Sequence, residues 1–72
     1  MEQRIVVTDE HGRHLVALVT HDWLGREVVW SAEIEGKILS VPLTGTAEDK
    51  GSIPAAVQMT VLRWGIRAVA DF

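Results

Sequence analysis

The sequence predicts an α+β fold: a four-stranded antiparallel β-meander followed by one C-terminal α-helix on one face of the sheet. Three observations carry that expectation. Up to residue 43 the apolar residues recur with period two and are rich in valine and isoleucine, as half-buried strands require. Polar, glycine-bearing segments punctuate that region and suit hairpin turns. From Ile53 to Phe72 the apolar residues recur at intervals of three and four, the helical period.

The first strand covers residues 4–8, where Ile5, Val6 and Val7 stand together. Asp9-Glu10-His11-Gly12 then reads as a type I turn with Gly12 in the left-handed position. The second strand, residues 14–20, is apolar on both faces and belongs in the sheet interior. Asp22-Trp23-Leu24-Gly25 repeats the turn chemistry, with Gly25 left-handed. In the third strand, residues 27–34, Val28, Trp30, Ala32 and Ile34 alternate with Glu27, Val29, Ser31 and Glu33. A tight loop at Glu35-Gly36 leads into a fourth strand, residues 37–43. This register sets Ile34 against Lys37, Ala32 against Leu39, Trp30 against Val41 and Val28 against Leu43. Opposed residues share a face, so those apolar side chains gather on one side and Ser31 meets Ser40 on the other. Pro42, lacking an amide proton, fits an edge strand or a strand end. A βββα arrangement, with residues 4–8 unpaired, is the alternative. Thr44 to Gly51 reads as the one substantial loop.

The helix is expected over residues 53–71, with Ser52 as N-cap and Pro54 in the first turn. At ~100° per residue its apolar side chains form two sectors. Ala55, Met59, Leu62, Ile66, Val69 and Ala70 make one, centred on Leu62 and Ile66 and expected to cover the sheet. Val57, Val61, Trp64, Ala68 and Phe72 make the other. A single sheet covers a stripe of ~100° or a little more, so the second sector is expected to meet a second copy of the chain. Gly65, costly by ~1 kcal/mol inside a helix, would there let two backbones approach.

With 72 residues the chain has room for one domain. A domain of this size buries only ~60% of its unfolded surface and usually needs a disulfide, a metal or a partner. It has no cysteine, which excludes disulfides and thiolate metal sites and points to oligomerisation. The net charge of −3 disfavours nucleic acid and anionic membranes, both of which attract basic surfaces. No apolar run approaches the ~20 residues of a membrane span, and the start lacks a signal-peptide h-region. The expected location is the cytoplasm.

The three histidines do not make a zinc site. His11 sits at a turn tip, and His14 and His21 lie ~23 Å apart along one strand at ~3.3 Å per residue, so all three are read as exposed and without function. No nucleophile elbow, Walker loop, dinucleotide-binding glycine pattern or His-Glu-x-x-His is present. The carboxylates are scattered over turns and one strand face and read as solvated. Thr44-Gly45-Thr46 is a weak candidate for an anion loop. Arg63 and Arg67 lie one turn apart, and Arg67 and Asp71 have the i, i+4 spacing of a modest surface ion pair. Trp23 is either a lid over the sheet end or an exposed anchor for a partner.

The function these residues predict is that of a small non-catalytic interaction protein, a homodimer joined by Val57, Val61, Trp64, Gly65, Ala68 and Phe72, with no cofactor, no metal and no catalytic residue. The order of four strands and a helix is similar to that of the positive-cofactor-four family of single-stranded DNA binders. The resemblance rests on element order over most of the chain and implies dimerisation through the helix and binding on the sheet. For that second role the strands offer only Arg4 and Lys37 as basic residues. An antitoxin-like inhibitor that docks on a larger enzyme is a third reading, compatible with the acidic charge. An enzyme is the least favoured.

Overall fold

The computed structural model describes residues 2–37, 39 and 42–66. The expected architecture is present: one open antiparallel sheet in the order β1-β2-β3-β4, followed by a single helix. The elements are β1 (Glu2–Thr8), β2 (His14–Leu24), β3 (Glu27–Ile34), β4 (Leu43–Ala47) and α1 (Ile53–Arg63), with a 3₁₀ turn at Lys50–Ser52 before the helix. No helix among the described residues is long and apolar enough to cross a membrane.

Period two makes the two faces unlike. Ile5 and Val7 on β1, Leu15, Ala17 and Val19 on β2, Val28, Trp30, Ala32 and Ile34 on β3 and Leu43 on β4 are buried on the inner face. Ile53, Val57 and Val61 of α1 close the same core, and all three are wholly buried. They are spaced i, i+4, i+8, the narrow stripe that a helix presents to a sheet. The helix touches both outer strands, β1 and β4, so it lies across the sheet.

The first hairpin forms as expected. Gly12 has φ +78°, Asp9 N–H donates to the Arg13 carbonyl at 2.8 Å and Gly12 N–H to the Asp9 carbonyl at 3.0 Å. The buried Asp9 side chain organises the loop, its Oδ1 accepting from His11 N–H and Arg13 N–H, both at 2.9 Å. The second hairpin is tighter than expected. The turn at residues 22–25 is replaced by continued pairing, Asp22 with Val29, Trp23 with Val28 and Leu24 with Glu27, leaving Gly25 (φ +64°) and Arg26 as the loop.

The fourth strand requires the largest correction. The Glu35-Gly36 turn does form: Lys37 N–H donates to the Ile34 carbonyl at 3.1 Å and Gly36 has φ +80°. Among the described residues, pairing with β3 covers Leu43 to Ala47, with Leu43 opposite Ala32, Gly45 opposite Trp30 and Ala47 opposite Val28. The expected strand at residues 37–43 is thus displaced to 43–47, and the first half of the expected loop Thr44–Gly51 is strand. Val41 and Ser40, expected opposite Trp30 and Ser31, lie outside the described residues. The displacement is four residues, an even number, so the apolar face is preserved. The cause is steric. A Cβ built on Gly45 would lie 2.7 Å from Trp30 Cζ2 and 2.9 Å from Cε2, so the large indole selects the one strand residue with no side chain. Pro42 then sits just before the strand, where its missing donor does no harm.

The helix is also shorter than expected. Gly65 adopts φ +65°, its N–H donates to the Leu62 carbonyl at 3.2 Å, and Ile66 N–H reaches the Val61 carbonyl at 3.1 Å. That bond pair is a Schellman ending with glycine at the left-handed position. The expected helix through residue 71 therefore stops at Arg63, and the rest of that span, residues 67–71, lies outside the described residues. At the other end Pro54 is in the first turn, but Ser52 makes no side-chain cap. Asp49 Oδ1 accepts from Ser52 N–H at 2.9 Å and Ser52 Oγ at 3.1 Å, capping the 3₁₀ turn instead.

Candidate interaction surface

The helix has two apolar sides, as its sequence indicates, but they are used the other way round. Val57 and Val61, expected at a subunit contact, are wholly buried against the chain's own sheet. Met59 and Leu62, expected to cover the sheet, are 61% and 47% exposed. Ala55, also exposed, continues their stripe at i, i+4 and i+7, opposite Ile53, Val57 and Val61. Trp64, at the helix C-cap, is 61% exposed. Ile66 packs on the core. Ala68 and Phe72 lie outside the described residues.

Gly65 closes the helix with φ +65°, a local reason for glycine, and within this chain a Cβ added there would meet nothing within 4 Å. Two features could have revealed the arrangement from sequence. Ile53, Val57 and Val61 form an unbroken β-branched stripe, and glycine two residues after the basic Arg63 is a helix stop signal.

Trp23 lies on the inner-face side of β2, opposite Val28, and is 54% exposed. It is not a lid. Beside it on the ribbon, His21 is buried at 8% exposure, against the expectation of an exposed histidine, and it pairs across strands with Trp30. Among the described residues, His21 Nδ1 and Trp30 Nε1 are both buried without a hydrogen-bond partner. Each such atom costs about 1–3 kcal/mol of desolvation. Among the described residues no group of three or more His, Cys, Asp or Glu could hold a metal ion.

The other face of the sheet is open. Its strand positions carry Glu2, Asp22, Glu27 and Glu33 against one arginine, Arg4. Arg4 Nη2 lies 3.0 Å from Glu35 Oε2, an exposed ion pair. Cross-strand rows of hydroxyls complete the surface: Thr20 pairs with Ser31 and Ser31 with Thr44. The expected anion loop at Thr44-Gly45-Thr46 is the middle of β4, a regular strand and no cradle of converging amides.

No protein-family model, curated protein or solved structure matches this chain.

Proposed function

We propose that the chain is a non-catalytic interaction protein that works as a homodimer joined through the outer side of α1. The observation that carries this reading is the exposed stripe of Ala55, Met59 and Leu62, lying opposite the buried stripe of the same helix. Solvent-facing helix positions are normally polar. The i, i+4, i+7 spacing is what a helix presents to another helix, and a two-fold axis would bring the same patch together from both copies. The small size of the domain gives association a thermodynamic reason, because burial of this stripe adds to a limited core. The acidic open face does not favour a polynucleotide, whose phosphates it would repel.

Sedimentation velocity across a hundredfold range of concentration tests the proposal. The wild type is expected to sediment as a dimer and Met59→Glu/Leu62→Glu as a folded monomer. Val57→Glu, aimed at the core, is expected to unfold the chain. A wild type that stays monomeric at high concentration, or a Met59→Glu/Leu62→Glu variant that stays dimeric, overturns it.

A further inference from the structure

The open face of the sheet holds a depression of about 290 Å³ that the helix contact would leave uncovered. It is lined by the apolar Leu18, Ala32 and Pro42, the hydroxyl-bearing Thr20 and Ser31, and Glu2 and Glu33. Thr20 Oγ1 and Ser31 Oγ lie 3.0 Å apart, and either can donate to the other, so acceptor capacity remains on both. Glu2 faces Thr20 in one cross-strand row, and Glu33 faces Leu18 in the next. Two strand spacings and one two-residue step separate the glutamate Cα atoms by ~12 Å. That leaves room between the two carboxylates for one planar cation.

Neither Glu2 nor Glu33 has an ion-pair or hydrogen-bond partner among the described residues. The nearest strand cation, Arg4, is engaged by Glu35, and Lys37 lines a neighbouring depression with Glu33, Leu39 and Pro42. Asp22 and Glu27 extend the negative field along the same face, and the whole chain carries −3.

We infer that this face is a second interaction surface, which receives an arginine side chain from a basic segment of a partner protein. Arginine fits better than lysine. Its fork offers five N–H donors to two carboxylates and two hydroxyls, and its weakly hydrated plane and aliphatic stem can lie on Leu18 and Pro42. The acidic field would speed encounter with a basic segment and make binding fall with salt.

The test is a titration with a tri-arginine peptide at low salt, followed by amide and side-chain NMR shifts of the intact chain. The expected shifts centre on Glu2, Leu18, Thr20, Ser31 and Glu33. Glu2→Gln/Glu33→Gln is expected to weaken the apparent affinity about tenfold, equivalent to about 1.4 kcal/mol. Glu10→Gln/Glu48→Gln, which removes the same charge elsewhere, should change it less than twofold. A tri-lysine peptide should bind several-fold more weakly. Equal losses in the two double variants would reduce the effect to net charge and overturn the inference, as would shifts centred away from the depression. Because all four glutamates are exposed, each variant should remain folded. The outcome is independent of whether α1 joins two copies.

Discussion

Gln58 on the helix and Thr8 at the end of β1 hold each other as two strands would. Thr8 N–H donates to Gln58 Oε1 at 2.9 Å, Gln58 Nε2 donates to the Thr8 carbonyl at 2.7 Å, and Thr8 Oγ1 adds a third contact to Oε1 at 3.3 Å. The side-chain amide replaces the peptide of an absent neighbour strand. It satisfies an edge position of the sheet that would otherwise be left to water and fixes where α1 crosses β1.

Replacing Gln58 by methionine should keep the shape and remove these bonds. A loss of about 1–2 kcal/mol is expected in urea denaturation, together with faster hydrogen exchange at the Thr8 amide. Unchanged exchange there would show that the pairing adds nothing in solution.

Gly45→Ala places a methyl group against the Trp30 indole, where the nearest ring atom is 2.7 Å away. Overpacking of this kind costs about 1–3 kcal/mol, and a lowered melting temperature should report it. Combined with Trp30→Phe the two losses should not add, because the smaller ring vacates the space. Full additivity would mean that the two residues do not meet.

The sign of the effect at Gly65 separates two structures. At a left-handed helix end, Gly65→Ala should destabilise by about 1 kcal/mol. Inside a continuing helix the same change would stabilise by a similar amount. A rise in the denaturation midpoint would place the helix end further along the chain.

His21→Leu should stabilise the fold by about 1 kcal/mol, since it removes a buried nitrogen with no partner and keeps an apolar side chain of similar reach. A drop in stability would mean that the imidazole is needed through its other nitrogen. Trp30→Ala, in contrast, should cost ~3–5 kcal/mol, enough to unfold most of so small a domain.

Much of the framework was legible in the residues. The turn glycines Gly12, Gly25 and Gly36 all adopt the left-handed backbone, and β3 occupies the expected residues 27–34. β1 and β2 begin or end a few residues beyond their expected bounds, because strand pairing continues wherever a partner strand is available. Trp23 and Leu24 look like turn residues in isolation and become strand residues when Val28 and Glu27 lie opposite. The candidate surface is legible only as one of two apolar sectors: the helical period shows both, but the sheet takes Val57 and Val61 where Met59 and Leu62 are expected.

By itself the sequence determined what is local: the period-two alternation that separates a buried from an open sheet face, the left-handed turns, and a helix with two apolar sides. The tertiary structure alone decided which side of that helix the sheet covers and which residues pair with β3. Helical period is blind to the first choice, because either stripe satisfies it. Only the fit of Ile53, Val57 and Val61 into the sheet distinguishes them. The second choice turns on one contact across fifteen residues of chain, the Trp30 ring over the bare backbone of Gly45. Packing volume at that distance leaves no trace in the alternation of either strand.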